Sequence, residues 1–243
     1  SSVALPCPAG TFGNASGLKV EQECHACPVG HFCGPGVSEP TACSRGTVAP
    51  NTNTVACIDC EAGTYQEEAG QTACGSCRTG SFCPEGASAP LPCEEGTHSN
   101  ATNLTSANDC TPSTPGYYAT TGSTEQRPCP PGTQQPESKK GQCTDCEAGK
   151  FVNASGAMIC HPCRPGSFCP VRASAPLPCE GGSFGSATGL VAQAECTVCP
   201  AGTYCFAGST AATSCSKGTY AATGGSQLCD ACPEGKYQGN EGA

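Results

Sequence analysis

The 243-residue chain has no tryptophan, one methionine, four histidines and only four aspartates. Aromatic residues make up 5% of it and charged residues 13%. No apolar run approaches the ~20 residues of a membrane-spanning helix, so no membrane insertion is expected within it. The 11 Lys and Arg are scattered singly against 20 Asp and Glu, for a net charge of −9. Nucleic acid and anionic lipid both need clustered cations, which excludes them as partners. No long amphipathic period is visible, and the large side chains that would fill a core for a globule of this length are missing.

What is abundant is cysteine, 25 residues, with 32 glycines and 22 prolines. Such cysteine density marks a disulfide scaffold and an oxidising, extracellular compartment, secreted or at the cell surface. The stretch Cys57 to Cys93 returns 86 residues later as Cys143 to Cys179, with 22 of 37 positions identical. Two module types generate the cysteine ladder. A long one is C-x13-C or C-x16-C followed by two residues; a short one is C-x5-C followed by nine. Their order, long-short-long-long-short, fills one 86-residue set. The sets cover 7–92 and 93–178, with a partial third at 179–243 and the tail of a preceding repeat at 1–6.

Each of fourteen modules opens C-x2-G-x-(aromatic), with Ser113 in place of one cysteine. The opening glycine never varies, which points to a backbone position at positive φ. Two residues on, eleven modules carry Phe or Tyr, the others having Val48, His98 and Gln134. The ring is expected to be the module's miniature core. Polar residues and turn glycines after it read as a short β-hairpin or irregular loop. The expected fold class is therefore small and disulfide-rich: a tandem array of hairpin or irregular modules with almost no helix. Stacked one on the next, as in other one-dimensional repeats, the modules would make an elongated rod.

The pairing of the cysteines follows from a natural deletion. The short module at 113 reads STPGYYA where its counterpart at 199 reads CPAGTYC, so Ser113 and Ala119 replace two cysteines lost together. Partners are lost together, which gives Cys27–Cys33, Cys77–Cys83, Cys163–Cys169 and Cys199–Cys205. The rest then pair in order: Cys7–Cys24, Cys43–Cys57, Cys60–Cys74, Cys93–Cys110, Cys129–Cys143, Cys146–Cys160, Cys179–Cys196 and Cys215–Cys229. Cys232 is left over. By spacing its partner would lie beyond the last residue, so a segment of a longer array is expected, with a free or intermolecular thiol as the alternative.

The phrase C-x2-G-x-(F/Y)…C-x2-C-x2-G-x-(F/Y)-C, running from Cys7 to Tyr237, resembles the ephrin-receptor-like cysteine-rich repeat. It is similar in style to tumour-necrosis-factor-receptor and EGF-like modules. The resemblance specifies a module type rather than a function, since such repeats build receptors, matrix proteins and large surface proteins. Modules of the tumour-necrosis-factor-receptor type interleave some disulfides, and that pattern here would replace the sequential pairing around the short modules.

Other chemistry finds little support. Cys57-x2-Cys60-x13-Cys74-x2-Cys77 has the look of a four-thiolate zinc site. Every C-x2-C in the chain, however, straddles a module boundary, which also disposes of a thioredoxin-like redox reading. No D-x-D-x-D-G calcium loop exists, and Asp59, Asp145 and Asp230 repeat one position beside a junction cysteine. His25, His31, His98 and His161 lack a partner for nucleophilic or metal chemistry. No catalytic or metal site, no cofactor and no enzymatic activity are expected. Sequons at Asn14, Asn100, Asn103 and Asn153 predict covalent glycans. Three of them (Asn14, Asn100, Asn153) fall seven residues after an opening cysteine. The Thr111–Pro115 run could carry O-linked sugars or act as a bend. The function expected is a glycosylated, rod-like segment of a repeat-built fibre, matrix or surface appendage, with copies of itself as partners. The competing reading is a ligand-binding segment of a cell-surface receptor's ectodomain.

Overall fold

A computed structural model of the chain describes residues 5–242; residues 1–4 of the tail 1–6, and residue 243, lie outside the described residues. Among the described residues there is no α-helix, and no helix is long and apolar enough to cross a membrane. The regular structure among them is thirteen two-stranded antiparallel hairpins and three single 3-10 turns. Each strand is two residues long. The first strand holds the ring position and the residue before it; the second holds the two residues just before the next module's opening position, which in most long modules separate the two cysteines of a junction. Thus Thr11 pairs with Ala26 and Phe12 with His25, and 86 residues on Thr97 pairs with Pro112 and His98 with Thr111. Proline is tolerated in the second strand because that strand has only one partner.

The structure closes twelve disulfides, each linking neighbouring cysteines within one module. Among the described residues the free cysteine is Cys232, half-buried. The cystines occupy the interior: Cys27, Cys33, Cys43, Cys60, Cys77 and Cys83 are all fully buried.

This corrects the expectation that the ring is the module's core. Among the described rings at this phase Phe151 alone is buried, at 9% exposure; the others are half-buried, and Tyr237 is 90% exposed. The reason is geometric. A two-residue strand has one flank covered by its own loop and nothing to cover the other, so a ring finds cover only on the next module. Phe151 packs with Cys163, Cys169 and Ala173, and Tyr65 packs against Cys77, Cys83 and Ala87. In both cases a long module's ring lies on the cystine of the short module that follows.

Backbone hydrogen bonds join one module to the next. Gly30 shows the pattern: its N–H donates to Ala49 O at 2.8 Å, and its carbonyl accepts from Cys43 N at 2.9 Å. The opening cysteine's carbonyl accepts from the next module's turn, as Cys27 O does from Asn53 N at 2.9 Å. The residue after the ring donates onward, as Cys33 N does to Thr54 O at 3.0 Å. These bonds satisfy backbone groups that such short strands would leave unpaired.

The chain divides into two compact units: Ser1–Ser113 with Ala119–Gln126, and Thr114–Tyr118 with Arg127–Ala243. In the first, the bonds from opening glycine to the following module run through Gly10, Gly30, Gly46, Gly63, Gly80 and Gly96. In the second they run through Gly116, Gly132, Gly149, Gly166, Gly182, Gly202 and Gly218. The division falls within the module that lacks its disulfide.

Candidate modification and interaction surface

The opening glycine is held at positive φ for a specific reason. At Gly30, φ is +76° and an added Cβ would collide with the carbonyl oxygen of Gly70, two modules on. The residue at that second position is itself left-handed. It is glycine in most modules, but Asn53, Asn103, Lys139 and Arg172 take φ of 61°, 61°, 56° and 62°. Each module therefore has two left-handed residues, one at its opening and one in its loop.

Several polar side chains hold the loops, and the C-x2-G-x-(aromatic) pattern did not single them out. The residue between the glycine and the ring is often Thr or Ser, and its hydroxyl donates three residues back. Examples are Thr64 to Glu61 O and Thr133 to Pro130 O, both at 2.7 Å. Gln66 and Gln135, each following the ring position, clasp their own loops. The Gln66 amide donates to Ala73 O at 2.7 Å while its Oε1 accepts from Glu68 N at 3.0 Å. Gln135 repeats this with Gln142 O and Glu137 N at 2.8 and 3.1 Å. A glutamine at one phase in three modules, Gln66, Gln135 and Gln238, was the available signal.

The three longest modules close with the 3-10 turns Glu21–Glu23, Ala107–Asp109 and Gln193–Glu195. The acid ending each turn accepts from a backbone N–H four residues back: Lys19 to Glu23, Thr105 to Asp109, Val191 to Glu195. Asp109 also accepts from Thr105 Oγ1 and Ser106 N, both at 2.9 Å. The Thr105 amide, then its hydroxyl and the Ser106 amide, hold the Asp109 carboxyl below its ordinary pKa of 3.8. Glu137 and Glu147 are likewise lowered, by hydrogen bonds from Lys140 and Lys150.

The C-x2-C pairs are divided between disulfides: Cys57 joins Cys43, and Cys60 joins Cys74. Among the described residues no group of three or more His, Cys, Asp or Glu could hold a metal ion. The histidines are not brought together. His25 lies on Phe12, ring centroids 5.6 Å apart, and His31 Nδ1 donates to Val29 O at 3.1 Å. His161 is exposed and His98 half-buried in separate hairpins. Asp59, Asp145 and Asp230 sit in exposed second strands, with Asp145 facing Arg172 Nε at 3.6 Å.

Two features remain on the outside. Both residues of every second strand are exposed, among them Ile58, Leu91, Leu177 and Val198. The sequon asparagines Asn14, Asn100, Asn103 and Asn153 are all exposed as well.

Hairpins of two-residue strands, one cystine per module and a backbone ladder between modules define a tandem, disulfide-stapled repeat protein of the extracellular or cell-surface kind. Two stretches of the chain are similar to ephrin-receptor-like cysteine-rich repeats. The family model described as tyrosine-protein kinase ephrin type A/B receptor-like matches residues 46–89 and 202–243. Ephrin type-B receptor 4 of Homo sapiens is 41% identical over 54 residues, covering 22% of this chain and 5% of that receptor. The chain thus spans a small part of the length of the curated relative it matches.

Proposed function

We propose that the chain is a non-catalytic segment of the extracellular part of a receptor-type cell-surface protein, glycosylated and engaging a protein ligand. The observation that carries this reading is the likeness of its modules to ephrin-receptor-like repeats over residues 46–89 and 202–243. The exposed second strands suit it: thirteen short outer strands with varied residues offer a surface whose chemistry can change without disturbing cystine or ladder.

Surface biotinylation and carbonate extraction of cells making the full-length protein test the assignment. A receptor-type protein is labelled on intact cells and stays with the membrane at alkaline pH. Immobilised segment should then capture a discrete partner from surface-labelled cells, and reduction of the segment should abolish capture.

The recurrence of 86 residues with 22 of 37 positions identical favours a second reading, a segment of a repeat-built fibre or matrix that associates with its own copies. In the same fractionation a fibre would sediment as detergent-insoluble polymer, and the segment would capture further copies of itself.

A further inference from the structure

We propose that Asn14, Asn100 and Asn153 are Asn-linked glycosylation sites, and that the fourth sequon, Asn103-Leu104-Thr105, exists for the backbone and stays bare. This rests only on the extracellular placement of the chain, not on the choice between receptor and fibre.

The molecule contains its own comparison. Its three longest modules read Gly13-Asn14-Ala15-Ser16-Gly17-Leu18, Ser99-Asn100-Ala101-Thr102-Asn103-Leu104 and Gly185-Ser186-Ala187-Thr188-Gly189-Leu190. Asn103 stands where the other two copies have Gly17 and Gly189. All three residues are left-handed, at φ of 61°, 82° and 76°. Asparagine is among the few residues besides glycine that adopt this conformation readily, and Asn53 does so at the same phase at 61° with no sequon attached. The backbone of Asn103 is committed: its N–H donates to Cys77 O at 2.9 Å, and its carbonyl oxygen lies 2.7 Å from where a Cβ on Gly63 would be. A sugar there would leave from the seam between modules. The backbone requirement accounts for Asn103 without a glycan.

Asn14, Asn100 and Asn153 occupy a different phase, two residues after the ring, where the chain leaves the hairpin. The four-bond ladder does not pass through this phase. Residues there range from Gly239 and Ala222 through Pro84 to Phe206, and all of these are exposed. A position that accepts both glycine and an outward phenylalanine accepts a glycan. Ser186, exposed in the third copy and followed by Ala187-Thr188, lacks only the amide.

The modification is a group transfer from an oligosaccharide carried on a lipid pyrophosphate, the donor of the secretory route. Asparagine Nδ2 bonds to the anomeric carbon, the anomeric C–O bond breaks, the lipid pyrophosphate leaves with the electron pair, and one amide proton is lost.

The test is site occupancy on the chain secreted from eukaryotic cells, read as Asn→Asp conversion by peptide-N-glycosidase in heavy-oxygen water. The expected result is label at Asn14, Asn100 and Asn153 and none at Asn103. Asn100→Gln should remove one glycan without moving it to Asn103. Ser186→Asn should add one glycan at unchanged secretion, because the third copy offers the sugar the same exposed phase. Asn103→Gly should leave occupancy and folding unchanged. Label at Asn103 in place of Asn100, transfer to Asn103 in the Gln variant, or a secreted but unmodified Ser186→Asn chain would each overturn the proposal.

Discussion

At Gly30 a single hydrogen atom separates a working module from a collision. The residue is left-handed at φ +76°, and its missing Cβ leaves room for the carbonyl of Gly70. Gly17 is also left-handed, at +82°, but an added Cβ there meets nothing within 4 Å. Gly17→Ala should therefore cost only the backbone term, roughly 1–2 kcal/mol. Gly30→Ala should cost clearly more, because backbone rather than a flexible side chain must move. Chemical denaturation midpoints of the two oxidised variants give the comparison, and equal losses would refute the close approach. Asp109 supports a pH prediction at the same scale. Its folded pKa lies below 3.8, so the bonds from Thr105 and Ser106 contribute stability above the unfolded value and lose it as pH falls through the folded one. The Thr105 and Ser106 amide resonances should shift together as the pH is taken below 3.8. In Asp109→Asn that titration should vanish.

At the scale of the element, one module differs from its fellows. Ser113 and Ala119 are buried, at 0% and 1% exposure, in the places of a cystine. The hairpin Tyr117–Tyr118 with Arg127–Pro128 still forms, joined to the following module by the ladder without a cystine of its own. Ser113→Cys with Ala119→Cys would close a loop of the same separation, six residues, as Cys163–Cys169. The gain should be about 2 kcal/mol, seen as slowed amide exchange at Tyr117 and Tyr118. The converse pair, Cys163→Ser with Cys169→Ala, should lose a similar amount. Digestion without reduction should yield only links between neighbouring cysteines of one module, and an interleaved link would refute the pairing.

For the whole molecule, the phase shared by Cys93 and Cys179 makes a set removable. Deleting residues 93–178 joins Pro92 to Cys179, which is preceded by Pro178 in the parent chain. Since each module's bonds run to near neighbours, the shortened chain should be secreted with one reactive thiol, that of Cys232. Thiol counting after alkylation tests this; several free thiols would mean that the sets depend on one another.

Much of this was legible in the sequence, because cysteine, glycine and ring positions recur at spacings that local geometry dictates. The disulfide-rich class and the short hairpins follow from contacts within about twenty residues, and the left-handed glycine from its fixed place in every module, although the carbonyl that excludes a side chain at Gly30 belongs to Gly70. The extracellular setting follows from cysteine number alone. What tertiary structure decided lies between modules. The Phe and Tyr phase was visible, but whether a ring is covered depends on the neighbour, so Phe151 is buried on Cys163–Cys169 while Tyr237 is exposed. The ladder from Gly30 to Ala49 uses backbone groups that have no sequence signature. Asn103 states the division most clearly. Its sequence reads as a glycan acceptor like Asn100, standing where the other copies have Gly17 and Gly189, and φ +61° with the carbonyl packed over Gly63 shows the turn that this position makes.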